Sequence, residues 1–141
     1  EHFISNLIRQ KIIVGIDKQT LPKNKNSKFL LFLPEGEMHE IGLLLANYMI
    51  REKGCQTIYL GQNVPIEDVI QVCDSFEPDY IYTYITIVRA EDELKAFFDK
   101  LSNAVKKGKV LISGHIPEVS FKLPARVKRV ISIKDLAEIL K

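Results

Sequence analysis

Lys28-Phe29-Leu30-Leu31-Phe32-Leu33-Pro34-Glu35-Gly36-Glu37-Met38-His39-Glu40-Ile41-Gly42 runs from an unbroken apolar stretch through a turn into a segment of helical period. Phe29 to Leu33 holds no polar residue, as expected of a central parallel strand covered on both faces. Between His39 and Lys53, Ile41, Leu44, Leu45, Tyr48 and Met49 recur near the ~3.6-residue helical period, and Gly54 is placed to end that helix. The strand-and-helix unit then repeats. Thr57 to Leu60, Tyr80 to Thr86 and Lys109 to Ser113 read as strands, with helices from Pro65 to Phe76 and from Ala90 to Lys107. A weak strand near Val127 to Ser132 precedes a closing helix, Ile133 to Leu140.

Alternation at this spacing predicts an α/β, flavodoxin-like (Rossmann-like) five-stranded parallel sheet in the order 2-1-3-4-5, whose ligands bind beyond the strands' carboxyl ends. Upstream, Phe3, Ile4, Leu7, Ile8, Ile12 and Ile16 form one helical stripe that needs a cover. Residues 18–27 are polar, contain Pro22 and lack period, as a linker does. The expected organisation is thus 1–17 as the last helix of a truncated helical bundle, 18–27 as linker and 28–141 as the α/β domain. A chain that opens mid-pattern on Glu1 without methionine supports reading it as a fragment.

Composition narrows the function classes. With 141 residues, a net charge of +2 and 27% charged residues, the chain fits one ordinary domain and does not advertise a polyanion partner. Cys55 and Cys73 have no CxxC spacing, so reduced, packed thiols are the simpler expectation. No stretch approaches the ~20 apolar residues of a membrane span, and the N-terminus lacks signal-peptide character; a cytoplasmic location without membrane contact is expected.

Four loops leave the predicted carboxyl edge: Pro34 to His39, Gly61 to Pro65, Thr86 to Arg89 and Gly114 to Pro117. The first is no nucleotide fingerprint, lacking GxGxxG and GxxxxGK[ST], but it brings an imidazole, His39, to a helix start. A histidine so placed is ordinarily a surface or capping residue. Tyr80, Tyr82 and Tyr84 alternate at strand spacing, so sheet packing is their default. The lysine and arginine clusters around Lys106 and Lys128 read as solvated faces, and Asp92 and Glu93 suit a helix's first turn. No Ser/His/Asp or paired-carboxylate arrangement emerges, so no catalytic residues are assigned.

In context, Glu37-Met38-His39-Glu40-Ile41-Gly42 resembles the Asp-x-His-x-x-Gly motif of cobalamin (vitamin B12)-binding domains, whose later motifs are Ser-x-Leu and Gly-Gly. The resemblance implies a cobalamin cofactor with His39 as lower axial ligand of its cobalt and Glu37 orienting the imidazole. It further implies that Gly42 leaves room for the displaced nucleotide tail. The match to Ser-x-Leu is Thr83-Tyr84-Ile85, or Tyr84 to Thr86 in a gapless register, and Ser113-Gly114 stands for Gly-Gly. A serine that in some members relays a proton has no counterpart in Val88-Arg89-Ala90. The implied site comprises Glu37, His39, Gly42, Asn63, Val64, Thr83, Ile85, Ser113, Gly114 and His115.

Leu33 to Gly42 and Ile58 to Pro65 are similar to the C-terminal B12-binding domains of MerR-type transcriptional regulators. That implies a non-enzymatic sensory module, with DNA contacted through an N-terminal helix-turn-helix outside this chain and homo-oligomers in the full-length protein. The form of the vitamin, whether adenosylcobalamin, methylcobalamin or hydroxocobalamin, stays open. The alternatives are a corrinoid-carrying module of a methyltransferase or mutase, and a B12-like fold that has lost the cofactor and binds a partner.

Overall fold

A computed structural model describes residues 2–20 and 27–141; much of the expected linker, residues 21–26, lies outside the described residues. The elements are α1 (His2–Asp17), β1 (Lys28–Pro34), α2 (Ile41–Glu52), β2 (Gln56–Val64), α3 (Ile66–Phe76), β3 (Tyr80–Ile85), α4 (Glu91–Ala104), β4 (Lys109–Gly114), β5 (Val127–Arg129) and α5 (Ile133–Ile139). The sheet order is β2-β1-β3-β4-β5 with every pairing parallel, as the alternation predicts.

Strand alternation divides the core into two layers. Leu30, Phe32, Ile81, Ile85, Val110 and Ile112 meet Val69, Cys73, Leu94, Phe98 and Leu101 of α3 and α4. Phe29, Leu31, Leu33, Tyr82 and Leu111 meet Leu43, Ala46 and Ile50 of α2 and Leu136 of α5. Each fully buried side chain of this kind contributes roughly 1.5–3 kcal/mol. Burial on both faces explains why β1 has no polar residue from Phe29 to Leu33. α2 itself has two apolar faces: Leu43, Ala46 and Ile50 seat on the sheet, while Leu45 and Tyr48 line a groove with Leu7, Ile8 and Ile12 of α1. The predicted α1 stripe is therefore covered in part, and Phe3 and Ile4 stay exposed.

Several boundaries differ from the sequence reading for local reasons. β2 continues to Val64, because Gly61 (φ 88°) and Asn63 (φ 56°) bulge the strand and return it to pair with Pro34. α2 starts at Ile41, and Glu40 offers its first turn no side-chain cap. α4 stops at Ala104 because Val105 turns extended and is buried among the core side chains. β5 ends at Arg129: the Asp135 carboxylate accepts the amides of Ile131 and Ser132 and draws that segment into the cap of α5.

Gly114 closes β4 at φ 99°, and a Cβ there would overlap the Ile85 carbonyl oxygen, which already accepts the His115 amide at 2.8 Å. Substitution Gly114→Ala is expected to destabilise the domain by about 2–3 kcal/mol, read as a lower urea midpoint with unchanged slope; a change within error would contradict this packing.

Candidate functional site

β1 and β3 are neighbours in the sheet but are followed by helices on opposite faces, so their carboxyl ends diverge into a crevice, the topological switch point of this sheet order. The loops on its two sides are joined by one carboxylate. Glu37, 1% exposed, accepts the Thr86 hydroxyl at 2.6 Å and the Thr86 and Ile87 amides at 2.8 Å each. Arg89 stands 3.7 Å from the same carboxylate and donates to the Glu35 carbonyl at 2.6 Å. Burial alone raises a carboxyl's pKa. The Thr86 hydroxyl, the Ile87 and Thr86 amides and Arg89 outweigh it and hold Glu37 below its ordinary 4.5. Glu37 thus spends its lone pairs on the β3–α4 loop, and none of its hydrogen bonds goes to His39. The expected orientation of the imidazole by Glu37 is not the arrangement found, because the buried carboxylate meets three donors nearer to hand.

Glu40 belongs to a second network. Arg9 of α1 donates to it at 2.9 Å and the Tyr59 hydroxyl at 2.9 Å. Burial, then the bond to Glu40 and its charge, pushes the Tyr59 phenol upward, which keeps it a donor. This network links α1 to Tyr59 of β2 across the site.

Between the two networks lies a cleft of about 760 Å³ walled by His2 and Arg9 of α1, by Met38 and His39, by Gln62 of β2 and by Tyr84 of β3. His39 is exposed there. Among the described residues no three His, Cys, Asp or Glu side chains converge. The described residues thus form no complete protein cage around His39, and a metal held there would bring most of its other ligands along, as a macrocycle does.

Gly42 faces the ring of Tyr84: a Cβ built on it would lie 2.9 Å from Tyr84 Cε2. Ser113 shares the face of the sheet that carries Tyr82 and Tyr84, lines a small groove between α2 and α5, and donates to the Val130 carbonyl at 2.9 Å. Thr83 and Ile85 are not brought to this face. Ile85 packs in the α3/α4 layer, and Thr83, two residues earlier, shares its side of the strand, fully buried with an unpartnered hydroxyl. The groove-facing side chains of β3 are therefore Tyr82 and Tyr84, which neither sequence register isolates. Gly114 makes room for the Ile85 carbonyl, and His115 opens onto a separate cleft with Ile116 and Arg129. Asn63 accepts the Gly36 amide at 3.0 Å, and Val64 packs toward the α3/α4 core. Arg9 and Gln62 were not singled out by the sequence reading; Tyr84 was, through the gapless register Tyr84 to Thr86 and its alternation with Tyr80 and Tyr82.

The transcriptional repressor CarH of Myxococcus xanthus, of the HTH type, is 28% identical over 108 residues, which cover 77% of this chain and 36% of that protein. CarA of the same organism, also an HTH-type transcriptional repressor, is 28% identical over 114 residues, 81% of this chain and 39% of its own. This chain resembles the CarH and CarA repressors. It spans less than two fifths of their length. No family model matches the chain.

Solved structures share the fold. A monomethylamine corrinoid protein of Methanosarcina barkeri superposes with a TM-score of 0.72 at 17% identity, over 96% of this chain and 65% of its own. The methanol:cobalamin methyltransferase complex MtaBC of the same organism gives 0.70 at 21%, over 87% and 48%. A cobalamin-binding protein of Desulfitobacterium hafniense gives 0.57 at 20%, over 82% and 50%. Among the described residues no helix is long and apolar enough to cross a membrane.

Replacing Glu37 by Gln places an amide nitrogen against donors and is expected to cost about 2–3 kcal/mol near neutral pH. Because the folded pKa lies below 4.5, the carboxylate's contribution is complete above that value and is lost as pH falls through the folded pKa. Urea unfolding of both proteins should show the gap narrowing on acidification below pH 4.5; a gap of constant size would contradict the assignment.

Proposed function

We propose that this chain is a cobalamin-binding sensory module of a transcriptional regulator, with His39 as the protein's ligand to cobalt. The observation that carries the reading is an exposed imidazole, His39, between the β1/β3 switch point and α2, on the rim of a large cleft. The resemblance to CarH and CarA supports a regulatory rather than catalytic role. A neutral imidazole suits a cobalt already equipped with an equatorial ring, and exposed Met38, Ile87 and Val88 supply apolar surface at the same edge. When bound, the cofactor would supply a metal centre whose upper face can carry a labile ligand. Glu37 contributes indirectly, by fixing the two loops that frame His39.

α1 gives such a site a reporter. Arg9 reaches Glu40, the residue after His39, so the position of α1 and the state of the cleft are linked through one ion pair. Occupancy is read as a change in how α1, and the helical bundle to which it belongs, packs on the α/β domain. That change governs self-association of the longer protein and hence DNA binding by a helix-turn-helix domain outside this chain. One of the structures that share the fold is a methanol:cobalamin methyltransferase complex, yet that likeness is one of fold, whereas the repressors match in sequence over three quarters of the chain.

Mixing the protein with hydroxocobalamin is expected to shift the visible absorption and give co-elution on gel filtration, and His39→Ala to weaken binding by about tenfold or more with loss of the shift. A free-vitamin spectrum with no co-elution for the wild type would overturn the proposal.

A further inference from the structure

Two cavities meet at one side chain. The cleft at His39, about 760 Å³, and the groove between α2, α5 and the sheet, about 160 Å³, have two lining residues in common, Gly42 and Tyr84. The Tyr84 ring abuts α2 at Gly42: a Cβ on Gly42 would stand 2.9, 3.1 and 3.2 Å from three of its carbons. We infer that Tyr84 is a gate that divides one elongated ligand site into a head chamber and a tail groove, and that it must swing aside before the tail of a cobalamin can enter. This deepens the cobalamin reading and rests on it.

Size decides that the groove is closed as it stands. About 160 Å³ is well short of the ~300 Å³ at which small-molecule sites begin, whereas the two cavities joined would form a passage from His39 along the sheet to Ser113. The groove's walls suit an extended amphiphilic tail, with Leu45, Ala46 and Leu136 apolar and Ser113 and Ser132 offering hydroxyl oxygens. No hydrogen bond holds the ring in place among the described residues. Tyr84 is half-buried, and its hydroxyl makes no hydrogen bond to the described residues, unlike Tyr59, which is tied to Glu40. Gly42 is what lets the ring close: any side chain there would occupy the ring's resting place.

A gate closed in most molecules lowers the apparent association rate and affinity for a ligand with a tail and leaves a tailless ligand untouched. The test is stopped-flow absorption with hydroxocobalamin and with diaquacobinamide, which has the corrin but no nucleotide, on wild type, Tyr84→Ala and Tyr84→Phe. Tyr84→Ala should speed hydroxocobalamin binding about tenfold more than it changes diaquacobinamide binding, while Tyr84→Phe, which keeps the ring, follows the wild type. Equal acceleration of both ligands, or of neither, would overturn the gate while leaving the cobalamin reading in place. Failure of every variant to bind either ligand would overturn both. Thermal melting in parallel shows that Tyr84→Ala is folded.

Discussion

A carboxylate buried at the mouth of a parallel sheet has to find donors, and Glu37 finds them across the switch point. Its bonds to Thr86 and Ile87 hold together two loops that the sheet order itself drives apart, since β1 and β3 send their helices to opposite faces. β3 stops at Ile85 because the next amide belongs to Glu37. Arg89, drawn to the same carboxylate, ties the second loop to the Glu35 carbonyl of the first. With Glu37 committed in this way, His39 two residues later projects from a braced segment into the cleft instead of folding back on a partner. In the low-dielectric edge of the sheet such charge-assisted bonds are about twice as strong as neutral ones.

Glu40 plays a complementary part at the other wall. It answers to Tyr59 within the domain and to Arg9 from α1, so the cleft has one wall that is integral to the sheet and one that is attached through a half-exposed ion pair. Exposed ion pairs contribute little to stability, roughly 0–1 kcal/mol. That weakness suits a contact whose use is to shift: the α1 wall can rearrange without unfolding the domain beneath it.

Much of the fold was legible in the sequence because burial on both faces leaves an unambiguous trace. Phe29 to Leu33 could only be a central strand, and Gly54 does end its helix at φ 82°. The placement of His39 at the carboxyl edge followed from the same pattern. The face of β3 was not legible, because three tyrosines on one parity and Ile81, Thr83 and Ile85 on the other both offer apolar surface and hydroxyls; pairing with β4 decides that Tyr84 stands beside Ser113 and that Thr83 and Ile85 look the other way. Nor could Arg9 and Glu40 be matched, being 31 residues apart on opposite sides of a polar stretch. Glu37 shows a third kind of limit, in which the residue was singled out but its partners were set by the β3–α4 loop.

The central claim is that one histidine nitrogen of this protein binds the cobalt. Electron paramagnetic resonance of the Co(II) form tests it most directly, using protein whose histidines carry the heavy nitrogen isotope of spin one half. Ligation by His39 predicts that the axial nitrogen splitting of each cobalt line changes from a triplet to a doublet on labelling, and that His39→Ala abolishes the doublet. A triplet that survives labelling would place the vitamin's own benzimidazole on the metal and contradict the account.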